Sequence, residues 1–123
     1  MIIAVDPSHP LPVYEQVREQ VVRMVAAGTL QPGTQLPTIR QLATDLGLAK
    51  GTVAKAYELL ESDAVIATRG RKGSIVLEME PASARERRAG LDESAEALVI
   101  AARQLGADEE AAVDAVRRVW KRF

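Results

Sequence analysis

Cysteine is absent from this 123-residue chain, which excludes a disulfide framework, thiolate zinc sites and thiol catalysis and fits a reducing cytoplasm. Histidine occurs once, as His9 in a proline-flanked N-terminal segment. No histidine cluster therefore exists to hold a transition metal or complete a catalytic triad, and His9 reads as a surface residue. Aromatic residues number four, Tyr14, Tyr57, Trp120 and Phe123, so a core has to be built from Leu, Val, Ile and Ala, a composition that favours helices. No run approaches the roughly 20 apolar residues of a membrane span. The apolar stretch Met1–Val5 lacks a preceding basic segment and is cut off by Asp6 and Pro7, so it does not read as a signal peptide.

Charge of one sign is missing too. Sixteen basic residues face seventeen acidic ones, so any case for a polyanionic partner rests on where the charges stand rather than on their sum. The length suits one globular domain, or a small domain with an appendage, and leaves no room for a large second ligand-binding domain.

What is present is a series of short helices with clear stops. Tyr14, Val17, Val21, Met24 and Val25 recur at helical spacing and predict a helix from about Val13 to Ala27, ended by Gly28 and a breaker-rich turn that contains Pro32-Gly33. Thr38 with Gln41 three positions on is a capping box, opening a second helix whose buried face is Ile39, Leu42, Ala43 and Leu46 and which Gly47 closes. A third helix runs from near Lys50 to about Ser62, with Val53, Ala56, Tyr57, Leu59 and Leu60 apolar and Tyr57 expected in the core. Two short helices joined by Gly47-Leu48-Ala49 make a helix-turn-helix. Val65–Thr68 and Ser74–Leu77 are β-rich runs around the basic, glycine-rich tip Arg69-Gly70-Arg71-Lys72-Gly73, which reads as a hairpin wing.

After Glu78 the composition turns to Ala, Glu and Arg, with Pro81 marking a boundary. Leu91, Ala95, Leu98, Ala102 and Leu105 follow at intervals of four, three, four and three, a narrow coiled-coil-like seam. Gly106 ends that helix and Asp108 caps the next, about Glu109 to Lys121, which carries Ala112, Val116, Val119, Trp120 and Phe123 along one side. Two helices of this size hardly bury both stripes by themselves. The expected fold class is therefore α+β, with a winged helix-turn-helix over residues 1–78 and a two-helix dimerisation tail over 79–123.

The chemistry lies in the position of the cations. Arg40 on the second helix, Lys50, Thr52 and Lys55 at the start of the third, and Arg69, Arg71 and Lys72 in the wing are all able to face one side. Lys, Arg and small polar groups at the N-terminal end of a recognition helix reach base edges and phosphates in the major groove. Gly51 either lets the helix start approach a phosphate or is only a weak helix start. Thr52 has the alternative of bonding backbone, and Arg40 and Lys55 of being solvated surface charges. A basic wing suits phosphate or minor-groove contact better than it suits a solubilising tip. The acidic runs Asp92-Glu93 and Asp108-Glu109-Glu110 fall near helix starts, where they complement the macrodipole. With no phosphate loop, nucleophile elbow or catalytic carboxylate pair, the sequence offers no enzyme, cofactor or metal site.

Pro12–Val17, Gly28-Thr29-Leu30, Pro32-Gly33 and Leu36–Ala43, followed by Leu46–Tyr57, Leu59-Leu60-Glu61 and the wing residues Arg69-Gly70-Arg71 and Gly73, resemble the start of GntR-type bacterial transcriptional regulators over about residues 2–77. Lys50, Gly51 and Lys55 depart from the residues commonest in that family at those places. The short helical tail and the Met1–Pro7 opening resemble the YtrA type. That resemblance implies operator contacts by Arg40, Lys50 to Lys55 and the wing around Arg69 and Gly70. It also implies a tail that dimerises and a role in repression, often of membrane-transporter operons. The joint expectation is a cytoplasmic, non-enzymatic homodimer on a pseudo-palindromic double-stranded operator, with no membrane partner and an effector, if one exists, that the sequence does not name. The rival from another class is a winged helix that buries its third helix in a partner protein. Arg40 and the basic wing argue against it.

Overall fold

The computed structural model describes residues 1–79 and 82–123; Pro81, where the sequence suggests a boundary, lies outside the described residues. The chain divides into two units, Met1–Met79 and Glu80–Phe123.

The first unit is built on three helices, α1 (Val13–Ala26), α2 (Ile39–Leu46) and α3 (Lys50–Ser62). The capping box forms as its spacing requires. The Gln41 amide donates to the Thr38 hydroxyl at 3.0 Å, and the Thr38 amide donates to the Gln41 side chain at 2.9 Å. At the other end of α2, Gly47 adopts φ 66°, ψ 33°, a left-handed conformation that costs glycine little. This turns the chain so that the Leu48 amide reaches back to the Ala43 carbonyl at 2.9 Å, and α3 begins after a three-residue turn. Val17 and Val21 of α1, Leu42 and Ala43 of α2, and Val53, Ala56, Tyr57 and Leu60 of α3 close over one another with Ile66 and Val76. Val17, Val21, Val53, Ala56 and Leu60 are fully shielded from solvent, so each contributes roughly the 1.5–3 kcal/mol expected of a buried aliphatic, less for the alanine.

The strands are shorter than the sequence suggests: β1 is Ile66–Thr68 and β2 is Ser74–Val76, paired antiparallel with Ile66 opposite Val76. Val65 and Leu77 still belong to the hairpin, because the Leu77 amide donates to the Val65 carbonyl at 2.9 Å. The expected basic, glycine-rich tip takes the form of a single tight turn of 3-10 helix, Gly70–Lys72. Its exit needs Gly73 at φ 68°, ψ −145°, backbone that a side chain would strain.

Two features have no counterpart in the expectations from sequence. The loop before α2 lies along the edge of the two-stranded hairpin, with Gln35 forming an isolated antiparallel bridge to Ile75. The amides of Gly33 and Leu36 donate to the carbonyls of Val76 and Ser74, both at 2.8 Å. The N-terminal segment, in turn, is bound to α1 by two glutamines one turn apart. The Asp6 amide donates to Gln16 Oε1 at 2.8 Å, while Gln16 Nε2 donates to the carbonyls of Asp6 and Leu11 at 2.9 and 2.8 Å. Gln20 grips the backbone of Ala4 in the same manner. Gln16 is the buried polar side chain of the unit, and its bonds offset the cost of removing it from water. They hold Ile3 in the core.

The second unit is a helical hairpin, α4 (Ala84–Gln104) capped by Ser83 and α5 (Glu109–Trp120) capped by Asp108. The expected helix end at Lys121 falls one residue earlier, with Lys121 as the C-cap.

Candidate nucleic-acid interface

The helix-turn-helix presents its cations at three places in the first unit. Arg40 is the second residue of α2, Lys50 the first of α3, and Arg71 and Lys72 sit in the wing turn just after Arg69. All five, together with Lys55, are exposed. Among the described residues, none of these six makes an ion pair. Three carboxylates of the unit are paired with arginines of α1: Arg18 pairs with Glu15 and, at 3.9 Å, with Asp63, and Arg23 pairs with Glu19 at 3.6 Å. The Arg18 guanidinium lowers the pKa of Glu15, chiefly through their hydrogen bond. The α1 side is thus laced with internal pairs, whereas the cations of α2, α3 and the wing keep their charge available to a partner.

The starts of α1 and α3 lack a side-chain cap, whereas those of α2, α4 and α5 have one. Thr38, Ser83 and Asp108 each cap their helices with a side-chain oxygen. Ala49, the N-cap of α3, has none to give. The first amides of a helix have no intrahelical partner, so here they are left for solvent or a ligand, at the end where the macrodipole favours an anion. Gly51 adds to this opening, because a Cβ placed there would meet nothing within 4 Å. Thr52 is half-buried, with its amide donating to the Ala49 carbonyl at 3.1 Å.

Lys55 is not freely solvated. Its ammonium lies over the Tyr14 ring, 4.1 Å from the centroid, a cation–π contact that ties the second turn of α3 to α1. Sequence reasoning placed Tyr14 in the hydrophobic stripe and missed this use. Tyr57 is in the core as expected, and its hydroxyl donates to the Pro37 carbonyl at 2.6 Å. That bond holds the entry to α2, and hence Arg40, against α3. Burial pushes the Tyr57 phenol up to about 12.

The tail residues fall into two overlapping sets, because Val99, Val113 and Val116 line the groove between α4 and α5 yet stay exposed. Ala95, Leu98 and Ala102 of the seam, with Ala112 and Val116, line a groove of about 610 Å³ between α4 and α5, so that part of the stripe faces the chain's own hairpin. Leu91, Leu105, Val119, Trp120 and Phe123 remain exposed, as do Val99, Ile100 and Val113, which the seam pattern passed over. Leu105 lies beyond the last residue of α4, as its C-cap. Ala102 is the sole buried residue of this helix pair among the described residues.

Among the described residues no helix is long and apolar enough to cross a membrane, and no group of His, Cys, Asp and Glu is arranged to hold a metal.

Comparison with known proteins points the same way. Residues 13–76 match the model of the bacterial regulatory proteins of the gntR family. The HTH-type transcriptional regulator Rv1152 of Mycobacterium tuberculosis is 48% identical over 82 residues, 67% of this chain and 68% of that protein. The HTH-type transcriptional repressor YtrA of Bacillus subtilis is 36% identical over 77 residues, 63% of this chain but 59% of its own length. Among solved structures, a transcriptional antiterminator from Listeria monocytogenes superposes with a TM-score of 0.80 at 25% identity, covering 98% of this chain and 90% of that one. YtrA from Sulfolobus acidocaldarius, a GntR-family transcription factor, gives 0.63 at 32% identity over 79% of this chain and 99% of its own. The DNA-binding domain of AraR in complex with operator ORE1 gives 0.52 at 25% identity over 62% of this chain and 93% of that one. The chain belongs to the GntR family of helix-turn-helix DNA-binding regulators, with YtrA-like proteins among its relatives.

Proposed function

We propose that the protein is a homodimeric transcriptional repressor that reads a pseudo-palindromic operator, working in the cytoplasm without a catalytic step. The observation that carries this reading is the set of exposed cations on α2, the start of α3 and the wing that make no ion pair among the described residues, beside an uncapped recognition-helix start. In this reading α3 enters the major groove by its N-terminal end. Lys50 and Lys55 reach phosphates or guanine edges, Thr52 offers a small polar contact, and Gly51 lets a phosphate approach the free amides. Arg40 contributes from α2, and Arg69, Gly70, Arg71 and Lys72 lie along the flanking backbone or minor groove. The AraR domain captured on its operator supports a DNA role for a unit of this shape.

The tail supplies the second half-site. A hairpin that buries Ala102 and leaves Leu91, Leu105, Trp120 and Phe123 in water exposes more apolar surface than an isolated unit tolerates. A second copy packing on Leu91, Ala95, Leu98, Ala102 and Leu105 of α4, and on Val116, Val119, Trp120 and Phe123 at the end of the chain, removes it. Two-fold symmetry then sets the half-sites about 34 Å apart, or a multiple of that. Occupation of a promoter by such a dimer excludes polymerase, in keeping with the repressor YtrA.

The test is a footprint of the purified protein on the DNA upstream of its own gene, titrated at two salt concentrations. Protection of a two-fold symmetric site that weakens steeply with salt is expected. Uniform, salt-insensitive or absent protection would overturn the reading in favour of a protein-interaction winged helix.

A further inference from the structure

The two helices of the second unit are unequal. α4 has 21 residues and α5 has 12, lengths of about 31 and 18 Å at 1.5 Å per residue. Because the hairpin turns at its Gly106 end, the additional nine residues of α4 extend past α5 at the N-terminal end. Consistent with this, the α4 side of the intramolecular groove begins at Ala95. The overhang holds Arg85, Arg87 and Arg88, all exposed. Among the described residues none of the three forms an ion pair.

Ser83 caps the segment, but its arginines stand poorly for a free-standing helix start. Arg85 and Arg88 are like charges one turn apart, which repel. They stand at the end of the helix where the macrodipole is positive and acidic residues are preferred. Glu86 is the one acidic residue in that first turn, whereas α5 opens with the pair Glu109 and Glu110. Gly90 then interrupts the overhang at a cost in helix propensity. A helix start that concentrates exposed guanidinium groups against its own dipole is arranged for an anionic surface outside the chain.

We infer that Arg85, Arg87 and Arg88 form a further phosphate-binding surface, engaging the backbone of the operator duplex outside the stretch held by α3 and the wing. This rests on the operator-binding reading above. Seven residues lie between Leu77 and Arg85, so eight Cα steps reach at most about 28 Å, less than one turn of B-DNA. Arginine suits this role because its planar fork bonds phosphate oxygens bidentately. Contacts of this kind add affinity and register without reading sequence.

The test uses the full chain with Arg85, Arg87 and Arg88 all changed to Gln, beside a triple Lys variant that keeps the charge. Binding to the footprinted operator is titrated against salt, with and without ten flanking base pairs, and dimerisation is followed by sedimentation. The Gln variant is expected to bind about tenfold or more weakly at low salt. The slope of log K against log salt should fall by about 1 to 3, as about 0.9 is lost per phosphate contact. Its dimerisation stays unchanged, trimming the flanks erases the difference, and the Lys variant keeps most of the slope. An unchanged slope overturns the proposal. So does a loss of affinity that tracks weaker dimerisation, which would assign the arginines to acidic residues of the second copy. Absence of salt-sensitive operator binding by the unmodified chain would instead remove the reading on which the inference stands.

Discussion

The ammonium of Lys55 stands 4.1 Å from the centroid of the Tyr14 ring, so a cation of the recognition helix rests on an aromatic ring of α1. The contact gives Lys55 two tasks that separate experimentally. Lys55→Met is expected to lose about 0.5–1 kcal/mol of stability in urea unfolding, from the cation–π contact. It should also lower the salt slope of operator binding by about 0.9, from one phosphate contact. A stability loss with an unchanged slope would leave Lys55 as a clamp between α1 and α3 and nothing more.

Arg40 is exposed and, among the described residues, bonded to no carboxylate, so removing it touches little of the fold. Arg40→Ala should leave the thermal midpoint within a degree or two while weakening the operator complex by about 1–3 kcal/mol, the worth of a bidentate guanine contact. Competition between the operator and single-base variants measures this. Uniform weakening across all variants would move Arg40 from base reading to phosphate contact.

Gln16 makes three bonds to the backbone of Asp6 and Leu11. Gln16→Ala leaves those groups partly buried without partners, at a cost of about 2–3 kcal/mol. The N-terminal segment should then peel from α1, seen as early proteolytic cleavage before Pro12 and loss of amide protection at Asp6. Protection equal to that of the parent chain would show that Ile3 alone holds the segment.

Tyr57 has its phenol raised to about 12 by burial, while the unfolded chain ionises near 10. Below pH 10 both states keep the proton and stability is full. Between 10 and 12 the unfolded state alone ionises, so stability falls as pH rises. Tyr57→Phe should flatten that decline while costing about 1 kcal/mol at neutral pH through the orphaned Pro37 carbonyl. Thermal melts from pH 8 to 11.5 on both proteins decide it.

A chain ending at Met79 retains the whole cluster around Leu60 and Val53 and both strands, so it should fold cooperatively as a monomer. With one half-site's contacts it should bind the operator at least about a hundredfold more weakly than the full chain, since the linked second half-site no longer adds its effective concentration. Full-length affinity in the shortened protein would refute the role of the tail.

Much of this molecule is determined by local sequence. The capping box Thr38–Gln41, the stop at Gly47 and the stripe Val53, Ala56, Tyr57, Leu60 are effects within a few residues, which is why the helix-turn-helix and its cations are legible in the order of the residues alone. So are the breaks at Gly106 and Asp108 and the alternation around Arg69–Gly73. What only the tertiary structure decided are relationships between residues distant in sequence. Lys55 rests on Tyr14, Tyr57 bonds to Pro37, Gln35 bridges to the edge of the wing, and Gln16 and Gln20 bond the backbone of residues 6 and 4. None has a periodic signature, because each depends on how separately formed elements come together. The seam from Leu91 to Leu105 makes the same point: its spacing marks one face of a helix, but packing divides that face. The α5 contact takes Ala102 and half-buries Leu98, Leu91 is left in water because a 12-residue helix cannot cover one of 21, and Leu105 is left exposed as the C-cap at the turn.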